Sequence, residues 1–459
     1  MKSKRKNYLG KTIIKSRKED EKLYDLSWIE AFIHKHCLNN RTIVSKDNYL
    51  LINDIQDILT FKLHRYASGS DHSTWLVPPQ WDVEEAYLAD DERIIASYKD
   101  HPLFLSPYSK EFDGEITKDE LLKKVFSRKS RPDDYLYQHR IAANFQLRLK
   151  DWGLTLPYNI VKNLKKDKYY VKIKTKVSKG DLIVAEHRVK GKSKKIFSFL
   201  AHTCHPGQAN DGLAGVALGI ALMKILNMKN DYRFSYELLL LPETFGSAIY
   251  LSNNENKIEN YLGCLFLEMP GAGELLTFNH SRKGKLYFDY LLKYVVKKSK
   301  QKTAEFDFHR GMGNDELNFD WPMIDIPGYA LYWSKFPEYH TSSDSADIID
   351  YTKMKVYLNV LLEFIEILED DYVPVYTQRV QVYQTRYNLY IDAFHEKDYY
   401  QKITDLLFGI DGKKTLFEIT QQIDLPFDDA QVYLEKYVEL GFLIKEEIPL
   451  SKYENNLIS

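Results

Sequence analysis

Cysteine is scarce in this 459-residue chain, which holds only Cys37, Cys204 and Cys264. Three scattered thiols build no disulfide framework; they agree with a reducing compartment, and any special cysteine must be argued alone. Net charge is also missing, because 64 Lys and Arg stand against 65 Asp and Glu. No field is left to attract nucleic acid or to hold an anionic membrane. Long apolar runs are lacking too: no segment shows the roughly 18 apolar residues of a membrane span, and the basic start MKSKRKNYLGKTIIKSRKEDEK carries no signal-peptide core. The expectation is a cytoplasmic globular protein.

Apolar and aromatic residues, by contrast, are plentiful. A hydrophobic share of 44% suffices for a large core and for two or three domains. The 34 tyrosines do not alternate with Lys and Arg in a stripe, so packing is their expected use rather than base stacking.

Residues 22–66 carry apolar positions at helical spacing, among them Leu26, Ile29, Phe32 and Ile33, then Leu50, Ile52, Ile55 and Leu59. From about 75 to 115 short runs broken by Pro and Gly predict small strands and turns, and YYVKIKTKVSKGDLIVAEHRVKG predicts a hairpin around its Lys-Gly-Asp turn. A β-rich inserted domain is therefore placed over 70–189. From about 194 strands and helices alternate: KIFSFLA, FSYELLLLP, YLGCLFLEMP and IPGYALYW as strands, AGVALGIALMKIL and YFDYLLKYVVKK as helices. Such alternation implies a mostly parallel sheet covered on both faces, with any site at the carboxyl ends of its strands. A last segment, 375–459, shows the helix, turn, helix, Gly, short-strand order of a winged helix, with Gly441 ending the third helix and Leu443-Ile444 starting the wing.

The chemistry-bearing residues fall at the predicted strand ends. KIFSFLA runs into His202, with Cys204, His205 and Asp211 in the following loop AHTCHPGQANDGLAG. Imidazole and carboxylate are the usual ligands of a hydrolytic zinc, and Gly212 lets the backbone turn tightly around an ion. The competing reading is that Asn210 or Asp211 caps the next helix. Strand-end geometry favours His202 as a ligand, whereas closeness to Asp211 and the fixed backbone before Pro206 favour His205. Further strands end in Glu243 (LLLLPETFGS) and Glu268 (CLFLEMPGAG), and FPEYHTSSDSADII offers His340 and Asp344. Each taken singly reads as a solvated charge or a surface histidine; four such sites together point to a metal centre.

These motifs resemble the co-catalytic zinc aminopeptidases, a family that includes the glutaminyl cyclases. Its order of His, Asp-Asp-Gly-like, Glu-Glu, Asp or Glu, Ser-Asp-His with Ile-Pro, and Tyr-His-Thr with a later Asp has counterparts here. They are His202, Asn210-Asp211-Gly212, Pro242-Glu243, Glu268, Asn314-Asp315-Glu316 with Ile326-Pro327, and Tyr339-His340-Thr341 with Asp344. HTCHPGQANDGLAG, PETFGSAIYL, PEYHTSSD, the VPPQWDVEEAYL insertion and the C-terminal segment are more similar still to aminopeptidase-like proteins of unknown function linked with polysaccharide biosynthesis.

The resemblance implies a phosphorylase/hydrolase-like α/β/α sandwich over 1–69 and 190–374, and one or two zinc ions. Asp211 would bridge them; His202 or His205 with Glu268, and Glu243 with His340, would complete the ligand set, with Asp344 and Cys204 behind it. The implied reaction is hydrolysis of an amide beside a free amine in a peptide or small molecule. Three departures stand out: Pro242-Glu243 in place of the Glu pair, Cys204 in place of an acid, and Glu316 in place of a histidine. They imply either a single metal or a recruited base, Glu243 or Glu316, or else a non-catalytic metal-binding or assembly protein of surface-polysaccharide synthesis. Cys204 is either a soft ligand or a small buried residue. Asp315 and Glu316 are candidates for a substrate ammonium or for orienting a ligand, against the reading of a solvated acidic loop. His280 and Arg310 are candidates for a substrate carboxylate.

The winged helix raises a rival class, the DNA-binding regulator. Its third helix, PFDDAQVYLEKYVELG, holds two Asp and two Glu against one Lys, a costly face to bring between phosphates. Protein contact is the expected role, with self-association through this module or the insertion compatible with it, and neither nucleic acid nor membrane is an expected partner.

Overall fold

The computed structural model describes residues 26–138 and 145–454; the basic N-terminal stretch and the first residues of the expected 22–66 helical segment lie outside them. Helix α1 (Ser27–His36) buries Ile29, Phe32, Ile33 and His36, one apolar stripe at helical period. Helix α2 (Lys46–Ile58) opens where Ser45 accepts the Asn48 amide. Both were expected, but the next residues are not helical. Gln56 uses its side chain on both backbone groups of Phe61 (2.6 and 2.9 Å), the chain turns out of the helix, and Lys62–Ala67 becomes strand β1.

Strands β2 (Gln80–Ala89), β3 (Ile94–Ser97), β4 (Phe112–Thr117) and β5 (Lys168–Ser178) form an antiparallel sheet in the order β3-β2-β5-β4. This sheet lies within the 70–189 stretch read as β-rich, but the last strand of that stretch does not join it. Strand β6 (Asp181–Val189) does not pair with β5; it lies between β1 and the strand Ser235–Leu241 in the large sheet. Tyr49 holds both backbone groups of Asp181 (2.6 and 3.0 Å), while Ser68 holds those of Gly180, so the turn passes β6 to β1. The physical cause is visible in the burial. β5 alternates buried and exposed, as a strand with one wet face does, whereas Leu182–Glu186 is buried without a break, as in a sheet covered on both sides.

The remaining strands of that sheet are β7 (Ile196–His202), β8 (Ser235–Leu241), β9 (Tyr261–Leu267), β10 (Leu275–Asn279), β11 (Thr303–Phe306) and β12 (Gly328–Ser334). Their order is β1-β6-β8-β7-β9-β12-β10-β11. The four central strands β8, β7, β9 and β12 are mutually parallel, while β6 and β10 run against their neighbours on either flank. The sheet is therefore mixed, with four parallel pairings and three antiparallel ones. Helix α3 (Gly215–Leu226) is buried along nearly its whole length, so the apolar stretch Ala209–Leu226, long enough by composition to cross a membrane, is a core helix. Helix α4 (Phe245–Ser252) follows β8.

By internal contacts the chain forms two units, residues 1–284 with 296–359, and residues 285–295 with 360–459. In the second, α5 (Lys397–Gly409), α6 (Leu416–Ile423) and α7 (Phe427–Glu439) precede a short strand β14 (Leu443–Glu446). That strand pairs antiparallel with β13 (Val373–Tyr376). Thr415 and Glu418 form a capping box at the start of α6, and Gly441, at φ +73, follows α7. Asp371 ties this unit together by accepting from Tyr287 Oη (2.8 Å) and Phe417 N (2.9 Å).

Candidate metal centre

The carboxyl ends of the four central parallel strands converge, and they carry the residues that the sequence singled out. His202 ends β7, Pro242-Glu243 follow β8, Glu268 follows β9, and the loop after β12 brings His340. Asp211, two per cent exposed, lies at the centre. Its Oδ1 is 3.0 Å from His202 Nε2 and its Oδ2 is 3.0 Å from His340 Nε2, so the carboxylate divides its two oxygens between two imidazoles. His202 Nε2 is also 3.3 Å from Glu268 Oε1. Three groups of potential ligand atoms lie close enough to hold an ion: His202, Asp211 and Glu268; His205, Asp211 and His340; and His202, Cys204 and His205. The choice between His202 and His205 dissolves, since both belong to the cluster.

Local structure explains the convergence. A Cβ on Gly212 would lie 2.2 Å from His202 Nε2, so only glycine lets the ring approach Asp211. Asp344 accepts the amides of Asn210 (2.7 Å) and Asp211 (3.0 Å), which fixes the loop. Asn210 does not cap a helix; its side chain bridges Gly271 N (2.7 Å) and Ala272 O (3.2 Å). Cys204 Sγ accepts from Glu243 N (3.0 Å) and lies 3.7 Å from His205 Nδ1, so this thiol ties the two loops together.

The electrostatics favour a cation. Burial pushes Glu243 and Asp344 up to about 8 and Asp315 to about 6, and it also raises Glu268. Burial opposes ionisation of Asp211 as well, but His205 and then His202 and His340 hold its carboxyl well below the usual range. His202 Nδ1 faces the carbonyl of Cys204 (3.4 Å), an acceptor only, which leaves Nε2 aimed at two carboxylates. A proton or a metal ion must lie between that nitrogen and the carboxylates. Among the described residues no aligned hydrogen bond reaches Asp211 Oδ2, although His340 Nε2 lies 3.0 Å away. A buried carboxylate oxygen aimed at an imidazole nitrogen without hydrogen-bond alignment is the arrangement expected of two atoms that share an ion, and the donor set of imidazoles and carboxylates suits zinc.

The other expected residues divide. Glu243 Oε2 is 3.4 Å from His205 Nε2, and its side chain is 23% exposed where those of Asp211 and Glu268 are buried; it belongs to none of the three ligand groups. Asp315 accepts from Thr244 N (2.8 Å) and Ser247 Oγ, and Asn314 Nδ2 donates to Glu268 Oε2 (2.6 Å). Glu316 folds back on Asn314 N (3.0 Å), and burial pushes it up to about 8. The run Asn314-Asp315-Glu316 is thus a buried brace rather than a solvated loop. His280 and Arg310 are not gathered at the cluster. β10 runs antiparallel to β12 and carries His280 away from the convergent ends, to within 3.4 Å of Glu305, and Arg310 is exposed beyond β11.

Two neighbours of the centre had no sequence signal. Arg41, fully buried, donates to Thr203 O (3.2 Å) and Gln208 O (2.5 Å). Tyr137 stands with its ring centroid 4.6 Å from that of His205. One is a lone Arg in a short linker, the other one tyrosine among 34.

The fold is a mixed α/β fold similar to that of aminopeptidases. A solved zinc aminopeptidase from Bacillus subtilis covers 75% of this chain and 95% of its own with a TM-score of 0.51 at 13% identity, a likeness of fold. A Clostridium acetobutylicum structure provisionally called a peptidase covers 93% of this chain and 99% of its own, with a TM-score of 0.80 at 23% identity. A model for a domain of unknown function, DUF4910, matches residues 31–371, and the chain belongs to that family. A relative from C. acetobutylicum, 28% identical over 321 residues (69% of this chain, 72% of its own), is provisionally named a polysaccharide biosynthesis protein with an aminopeptidase-like domain.

Proposed function

We propose that this chain is a zinc-dependent, aminopeptidase-like hydrolase that cleaves an amide beside a free amine in a peptide or small molecule. The observation that carries this reading is Asp211, whose two oxygens face His202 and His340, with Glu268 on the first side and His205 on the second. Bound zinc would activate water and polarise the scissile carbonyl. His202, Asp211 and Glu268 would hold one ion and His205, Asp211 and His340 a second; Cys204 and Asp344 support their loops. Glu243 is the general base in this scheme, because it is a partly exposed carboxylate beside the cluster and burial places its affinity for a proton near neutrality. Glu316, folded back on its own loop, is less suited to that role. The ring of carboxyl groups selects a substrate that presents an ammonium.

The wider assignments follow from the same reading. The large sheet and its helices are the catalytic domain, with the insertion between β1 and β6. The segment from 375 is a winged helix used for protein contact, since α7 carries Asp428, Asp429, Glu435 and Glu439. The protein works in the cytoplasm, without nucleic acid or membrane, and the named relative supports a setting in polysaccharide synthesis. The test is metal content by elemental analysis together with turnover of aminoacyl anilides. Glu243→Gln should keep the metal and lose turnover by about 100-fold or more. Zinc bound without turnover of any aminoacyl substrate would leave a binding protein instead.

A further inference from the structure

The inserted domain meets the cluster through its 131–137 segment. Residues 131–137 run beside the loop that carries His340: Tyr137 N donates to His340 O (2.9 Å), Ser342 N donates to Tyr135 O (2.9 Å), and Leu136 and Thr341 form an antiparallel bridge. Asp134 accepts from Ser343 Oγ (2.5 Å). His340 holds φ +57, a conformation that a residue with a side chain keeps only where its surroundings over-determine it. At the end of the paired segment the buried Tyr137 ring lies 4.6 Å from the His205 ring and 5.0 Å, edge to face, from His340. These are the two imidazoles that share one ligand group with Asp211. The same domain touches the other end of the metal loop, where a Cβ on Gly207 would lie 2.5 Å from His101.

We infer that Tyr137 is a positioning residue for the metal: its ring, presented by the inserted domain, sets His205 and His340 at the spacing at which both, with Asp211, hold one cation. The inference rests on the reading of the cluster as a zinc site. The coupling is reciprocal, so a cation bound there draws the 131–137 segment onto the His340 loop, and loss of that pairing weakens the cation.

The experiment is zinc titration of the full chain against a chromophoric chelator for wild type, Tyr137→Phe and Tyr137→Ala, with hydrogen exchange over 131–138 and 340–343 measured with and without zinc. Tyr137→Phe, which keeps the ring, should bind as wild type does. Tyr137→Ala should weaken one zinc equivalent by about 10- to 100-fold, the usual effect of losing a residue that orients a ligand. The amides of Tyr137 and Ser342 should exchange more slowly with zinc present. Wild-type affinity in Tyr137→Ala, or exchange at these amides indifferent to zinc, overturns the inference while the zinc-site reading stands. A wild-type chain that takes up no zinc overturns both. Should Tyr137→Ala not fold, the exchange measurement on wild type decides.

Discussion

Arg41 Nη2 donates to the carbonyl oxygen of Gln208 at 2.5 Å while Nη1 donates to that of Thr203 at 3.2 Å, so one guanidinium spans the loop that runs from His202 to Asp211. Only a planar fork makes both bonds from a fully buried position. Arg41→Lys is expected to lower stability by about 1–3 kcal/mol, because a buried carbonyl loses its donor. Urea unfolding of the zinc-free chain measures this, and a midpoint equal to that of wild type would show that the brace is dispensable.

Gly212 offers a sharper probe of the centre itself. A methyl group there would collide with the His202 ring, and both are buried. Gly212→Ala should cost about 1–3 kcal/mol by overpacking and should displace His202 from Asp211. Elemental analysis of the folded variant is expected to show less metal per chain; an undiminished content would mean that the loop can yield without cost.

Acid stability tests a separate cluster. Burial alone would raise Glu186, but His64 (2.8 Å), Arg188 (3.1 Å) and Lys257 (3.4 Å) hold its carboxyl down to about 2. A carboxyl depressed in the folded state contributes stability that is fully present above its unfolded value near 4.5 and is lost as pH falls through 2. The shift corresponds to about 3 kcal/mol at most. Glu237, beside the same arginine, is pushed upward by burial and works in the opposite sense, so the wild-type curve alone is ambiguous. The difference between wild type and Glu186→Gln isolates the effect: it should be constant above pH 5 and shrink between pH 4.5 and 2.5 in denaturant titrations.

How much of this was legible before the fold was known depends on what kind of signal each residue carries. His202, Glu243 and Glu268 each end an apolar strand in the chain itself, so the parallel-sheet rule placed them together. His280 was misplaced for the converse reason. Strand direction leaves no mark in composition, and β10 happens to run backwards. β6 was misread because its turn resembles a hairpin turn, although the unbroken Leu182-Ile183-Val184-Ala185 run already distinguished it from the alternating β5. Arg41 and Tyr137 act across long separations in sequence, and a lone residue that acts through tertiary contact has no local pattern to betray it.

The order of these residues along the chain bears on synthesis. His202 and Asp211 leave the ribosome early, but His340, and Asp344 which fixes the Asp211 loop, come only after β12, the last strand of the large sheet. A nascent chain released piecemeal, at about 5–20 residues per second, lacks His340 for several seconds after Asp211 has appeared. In the proposed zinc site the group of His205, Asp211 and His340 is complete only when the last loop closes, so loading of that group would report completion of the fold, and truncation anywhere before residue 340 would remove it.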